Sequence, residues 1–415
     1  MTGRFAAAVR DGRGSGLPAR AARVSLALGA SIAASYFARR ARHIADQGLV
    51  DWSGVERIAT SRLSRLPGSL TERELQESEA AYASAMTRIV PVLEARLGAE
   101  LPGVVDRHAV VDRAGWARAN LVTFRVLIER MEKQLELPGR AASGSLGSGV
   151  AAVANRFLTT QQIGFLLGYL GGRVLGQYDV ALLSAEQAPG RLLYVEENVR
   201  ATARQLGIPL ADFRLWIALH ETTHAFELEA HPWLRPYLRE RLERQLTLFL
   251  DDAKDVQRHG LGPIVRRLRS AASEGGLTGL LSSEQRGLLR ETQLVMSLME
   301  GFSDWVMDEV GASMIPDVPG IRARFDARRA QRRRGLDKVI ARLTGLDMKM
   351  EQYRRGERFV SGVARAGGEP AIRRLWDGPH ALPTDREFDD PAAWVRRMVP
   401  DAPPQLAAGS GAALR

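Results

Sequence analysis

The segment Ile217-Ala218-Leu219-His220-Glu221-Thr222-Thr223-His224-Ala225-Phe226 holds two histidines four residues apart, with a glutamate directly after the first. On an α-helix such residues lie about 40° apart around the axis and about 6 Å apart along it, so both imidazoles converge on one point beside the helix. That point suits a zinc ion at about 2.0–2.1 Å from each nitrogen. Glu221, about 100° round from His220, reaches a water beside the ion instead of the ion itself. There a carboxylate can take a proton as water attacks a carbonyl, then return it to a leaving amine. The flank Leu215–Leu219 is uncharged, and neither Gly nor Pro interrupts the segment, as a buried ligand-bearing helix requires.

Composition narrows the ligand set. Cysteine is absent, which excludes disulfides, thiolate-held zinc, iron–sulfur clusters and thiol catalysis. A transition metal must rely on carboxylates and the seven histidines. His231 lies eleven positions after His220, but if the helix continues through Ala225–Ala230 it sits about 10 Å further along the axis than His224 and falls out of reach. Glu300 is the better third ligand. Its neighbours Val295, Met296, Leu298, Met299, Phe302 and Trp305 are too apolar for a solvated helix. Asp304 shares its face one turn on, placed to accept a hydrogen bond from the outer nitrogen of a ligating histidine. Asp308 and Glu309 are weaker alternatives.

With 415 residues, 45% of them hydrophobic, the chain can build a sizeable core. Helical periodicity covers Leu70–Leu97, Asp112–Leu135, Gln161–Leu175, Pro209–Ala230, Leu238–Ala253, Glu284–Val310 and Asp337–Arg355. Strand signals are sparse, the best being Arg191–Val195 after Pro189-Gly190. The expected architecture is therefore α+β and predominantly helical, with a small sheet. Residues 1–45 read as a basic and apolar arm and 401–415 as a disordered tail. Residues 46–400 read as one domain, its helical N-terminal lobe at about 46–145 joined through the Ser/Gly-rich stretch Ala141–Gly149 to a catalytic lobe at about 150–400. Gly164, Gly168, Gly172 and Gly176 recur every fourth residue, the spacing of a helix face that a neighbour approaches closely.

The formal charge of +10 and pI of 10.4 permit an acidic partner, but only four of the 58 basic residues are Lys and the charge is spread along the chain. The arginines at 322, 324, 328, 329, 332, 333 and 334 have only Phe325 as an interleaved aromatic, so a solvated helix face is expected and nucleic acid is not. The apolar run Val24–Phe37 is too short to span a bilayer, which takes about 20 residues. A cytoplasmic protein is expected, with peripheral membrane association of residues 24–37 left open.

Glu300-Gly301-Phe302-Ser303-Asp304, following His220 and His224, resembles the gluzincin pattern of thermolysin-like peptidases, with Met299 where those have Asn. More closely, the chain from about Gly48 to about Trp394 resembles an actinobacterial-type family of zinc-dependent metalloproteases associated with deazaflavin cofactor biosynthesis. The segments that carry this likeness are Val111–Trp116, Arg173–Asp179, Phe213–Trp216, Pro232–Leu234 and the Glu300 segment. The resemblance implies a zincin-like fold and a hydrolase. It also implies an edge strand that pairs with extended substrate, for which Arg191–Val195 is the candidate, a core strand being the alternative. An oxyanion stabiliser could come from Tyr353, Arg354 or His380. The expected function is hydrolysis of a peptide or amide bond in a peptide or protein substrate. One Zn2+ would be held by His220, His224 and Glu300, with Glu221 as general base and Asp304 behind a histidine. A catalytically idle zinc-stabilised scaffold is the alternative.

Overall fold

A computed structural model describes residues 48–135, 146–179, 190–259, 281–330 and 346–400. The N-terminal arm with its apolar run, the C-terminal tail, residues 141–145 and Arg332, Arg333 and Arg334 lie outside this set, as do the side chains of Tyr353 and Arg354. Among the described residues the order is α1 (Trp52–Leu63), α2 (Glu72–Leu97), β1 (His108–Val111), α3 (Arg113–Leu135), α4 (Leu146–Gly171), β2 (Gly176–Asp179), β3 (Arg191–Val195), α5 (Glu196–Leu206) and α6 (Leu210–Glu229). There follow α7 (Leu234–His259), α8 (Ser283–Glu309), α9 (Val318–Ala330), α10 (Leu346–Arg374), α11 (Asp385–Asp389) and α12 (Pro391–Met398). Leu146–Gly149, expected in a loop, forms the first turn of α4.

These residues form two compact units, 48–55 with 146–163 and 56–135 with 164–400. In the smaller, the Asp51 N–H donates to Thr160 Oγ1 at 2.9 Å and Arg156 Nη1 to the Gly48 carbonyl at 2.5 Å.

In the larger unit α2 begins at a capping box, Thr71 with Glu74, and ends at Gly98 in the left-handed region (φ 73°) that a side chain would disfavour. Its buried stripe, Ser78, Tyr82, Met86, Ile89 and Leu93, has three- and four-residue spacing and lies against α6. α6 is buried on almost every side: α2, β2, β3, α5, α7 and α8 all touch it. The hydroxyls of Thr222 and Thr223 donate to the Ala218 and Leu219 carbonyls, one turn back, so they cost little inside this apolar shell.

The sheet order is β1-β3-β2, with β1 parallel and β2 antiparallel to β3. Arg191–Val195 is thus a strand as expected, but it is paired on both sides and is the central strand. The edges are β1 and β2. The every-fourth glycine pattern divides for the same reason. Gly168 and Gly172 lie on α4, where added Cβ atoms would meet Arg62 at 2.9 Å and Leu66 at 2.8 Å, whereas Gly176 opens β2.

α8 starts at a capping box, Ser282 with Gln285, and crosses α10 where two glycines meet. A Cβ on Gly356 would stand 1.9 Å from the Ser297 carbonyl oxygen, and one on Gly301 2.2 Å from the Gly356 carbonyl carbon. These are backbone contacts that no side-chain rotation relieves. Alanine gains about 1 kcal/mol in helix propensity over glycine, but overpacking costs about 1–3 kcal/mol and more where backbone must move. Gly301→Ala and Gly356→Ala are therefore expected to lower unfolding stability in denaturant titrations, by about 1–3 kcal/mol or more. A stabilised variant would show that the helices do not cross there.

Candidate metal centre

α6 presents His220, Glu221, His224 and Glu227 at successive helical offsets, and α8 presents Glu300 opposite them. One ligand atom from each of His220, His224 and Glu300 lies within 4.8 Å of the other two. His220 Nε2 and Glu300 Oε2 are 3.8 Å apart, and the two imidazole ring centres are 4.7 Å apart at 81°. Donors around a tetrahedral zinc ion stand about 3.4 Å apart for bonds of about 2.0–2.1 Å, so the spacing of this trio suits an ion. Two imidazoles and a carboxylate are also the donor set that a cysteine-free zinc site requires. The three side chains are 15–19% exposed, sunk in the surface but reachable.

The electrostatics point the same way. Elsewhere in the core, buried carboxylates meet guanidinium groups: Glu196 with Arg200 and Arg214, Glu197 with Arg113. At the trio, Glu221, Glu227 and Glu300 face imidazoles, and among the described residues none of them is ion-paired to Arg or Lys. Burial pushes the Glu221 carboxyl up to about 7, with His224 opposing the rise and Glu300 adding to it. Burial likewise raises Glu227 to about 7 against the pull of His224. For His224, burial works against the charged ring, but Glu227, then Glu300 and Glu221, outweigh it and raise the ring to about 10. So negative a setting favours a cation.

Glu221 is held from the sheet. The Val195 N–H bonds to the Leu175 carbonyl, so residues 175, 177 and 179 turn toward β3 and residues 176 and 178 turn outward. The Tyr178 backbone, on that outward side, is a minor influence that lowers the Glu221 carboxyl against its burial. Gly176 lies so close that a Cβ there would be 2.6 Å from Glu221 Cγ. β2 is in turn clamped to the end of α6: the Tyr178 hydroxyl donates to Glu229, Arg107 grips both Glu229 oxygens at 2.7 Å, and the Gly190 N–H donates to the Tyr178 oxygen at 3.1 Å. The strand bearing Gly176 and Tyr178 was not apparent in the sequence, since four residues carrying Gly, Gln and Asp lack the alternation of a half-buried strand.

The remaining candidates lie around the trio. His231 lies outside it, as helical spacing predicts, with Nδ1 on the Glu227 carbonyl at 2.9 Å and its ring against Phe226 and Trp376. The carboxylate on the His224 Nδ1 is that of Glu227, at 2.8 Å. Asp304 has Arg322 beside it, with Nη2 at 3.8 Å from its Oδ1 and at 2.7 Å from its carbonyl oxygen. Arg322 also pairs with Asp308 and Glu357, while Arg324 and Arg328 bond to Asp317 and Thr202, so these members of the arginine cluster serve internal contacts. His380 is exposed on the turn Pro379–Ala381. A hollow of about 480 Å³ lined by Asp308, Val318, Pro319, Arg322 and Asp326 contains none of the metal residues.

Residues 50–395 match the family described as zincin-like metallopeptidase. A crystal structure of a presumed hydrolase with a novel fold from Chloroflexus aurantiacus is similar to the chain at 34% identity and a TM-score of 0.61, covering 84% of this chain and 98% of that one. No curated protein matches. The fold, the convergence of His220, His224 and Glu300, and a match spanning most of the sequence together place the chain in the zincin-like metallopeptidase family.

Proposed function

We propose that the protein is a zinc-dependent peptidase that hydrolyses a peptide or amide bond. The observation that carries this reading is the meeting of His220 and His224, from one helix, with Glu300 from another. Those three residues would hold the zinc, which when bound acidifies water and polarises a carbonyl. Family membership and the hydrolase description of the Chloroflexus protein support a hydrolytic reaction.

The chain's own groups then have distinct tasks. Glu221, directly after the first ligand, is the general base: its carboxylate takes the proton of the attacking water and gives it to the leaving nitrogen. Burial keeps bulk water from competing for the proton. Asp304, one turn after Glu300, would support His220 from behind. The outward edge of β2, where Gly176 and the Tyr178 carbonyl point away from β3, supports an extended peptide backbone as substrate, added as a further strand beside Glu221. An ordinary peptide carbonyl laid along that edge would run past the base that activates water.

Purified protein is expected to carry about one zinc per chain and to cleave members of a peptide library until a chelator is added. Glu221→Gln should keep the zinc and lose about 10²- to 10⁴-fold in turnover. Undiminished cleavage in that variant removes Glu221 from the mechanism, and retained zinc with no cleavage by the parent protein favours the idle scaffold instead.

Gly176→Ala tests the strand's part separately. The new methyl displaces the flexible end of Glu221, cheap for folding but damaging to alignment, where a shift of about 1 Å can cost about 10²-fold. The expected result is a large fall in kcat with the melting temperature and zinc content nearly unchanged. Full activity would mean that the contact between β2 and Glu221 has no catalytic weight.

A further inference from the structure

Glu227 is fully buried, is not among the three residues that converge as ligands, and has no part in the reaction as described above. It lies three residues after His224 on α6, hence on the same face. Its Oε2 is 2.8 Å from His224 Nδ1. Its Oε1 accepts from the Ser303 hydroxyl at 3.4 Å, and that hydroxyl is itself 3.3 Å from His224 Nδ1. Ser303 is also fully buried and stands on α8 three residues after Glu300. A closed triangle of imidazole, carboxylate and hydroxyl therefore ties the helix bearing two ligands to the helix bearing the third.

We propose that Glu227 is the positioning residue of the metal centre: by accepting a hydrogen bond from His224 Nδ1 it fixes the ring so that Nε2 is the nitrogen offered to the ion, and Ser303 locks Glu227 in turn. This rests on the zinc reading above. The chemistry follows from the two nitrogens of a neutral imidazole, one a donor and the other an acceptor. Committing Nδ1–H to a carboxylate leaves the Nε2 lone pair for the metal and raises its basicity. The ring's orientation is set as well, because Glu227 cannot turn away without leaving its carboxylate bare in an apolar interior. Asp304, the acid expected to do this for a histidine, has the Arg322 guanidinium beside it and stands one turn after Glu300, on the other helix. His224 is served by a carboxylate of its own helix.

The test is zinc affinity by competition with a chromophoric chelator, together with the visible spectrum of the cobalt(II)-substituted protein and the melting temperature of the metal-free form. Glu227→Leu is expected to weaken zinc binding about 10- to 100-fold and to alter the cobalt bands. Glu227→Gln, which keeps an acceptor at the same reach, should recover part of that affinity, and Ser303→Ala should lose a smaller share. The metal-free melting temperature should not fall in step, because removing a buried charge relieves the metal-free core. Parental affinity and cobalt spectrum in Glu227→Leu overturn the proposal while leaving the zinc reading intact, and so does a loss of affinity that merely tracks a loss of metal-free stability. If Glu227→Leu does not fold, the Gln and Ser303→Ala variants decide on the same readouts. A parent protein that binds zinc no better than His220→Ala overturns the metal reading and this proposal with it.

Discussion

A helix enclosed by other elements has to find partners for every polar group it carries, and α6 carries two imidazoles and three carboxylates, those of Glu221, Glu227 and Glu229, into or beside the core. The rest of the site follows from that requirement. Glu229 is taken by Arg107 and Tyr178, which pins the sheet to the helix end. Glu227 is taken by His224 and Ser303, which pins α8. Glu221 lies against Gly176 of β2. Once these are settled, His220, His224 and Glu300 are left around a gap whose surplus of negative charge a cation would balance.

Close backbone approach sets the distances. Gly301 and Gly356 let α8 and α10 cross with almost no separation, and Gly301 is the residue beside Glu300. Gly176 lets β2 lie directly against Glu221. At both places the missing side chain brings a rigid element close to a carboxylate of the candidate site, and rigid elements hold geometry better than loops do. Arg322 links two helices in a related way, pairing with Asp304 and Asp308 of α8 and with Glu357 of α10.

The short sheet shows how a site can depend on an element with little signature. β3 is apolar because it is central and covered on both faces, and that same property made it visible as a strand. β2 stands at the edge, is four residues long and has one side turned to Glu221, so its side chains answer to neighbours and not to strand periodicity. Of the two readings open for Arg191–Val195, edge strand by resemblance or core strand, the structure gives the core strand.

The amino-acid sequence alone determined the helical character, the absence of thiol ligands, the convergence of His220 and His224, and the helix on which Glu300 meets them. Each of these is local: it follows from helical spacing, apolar patterning or composition, which act within a few residues. Only the tertiary structure decided that Glu227 serves His224, that Arg322 stands beside Asp304, that Gly176 of β2 lies against Glu221, and that two glycines carry α8 against α10. Those contacts join segments from 18 to 55 residues apart, or depend on which face of a buried helix meets a neighbour, and one-dimensional periodicity carries no information about either.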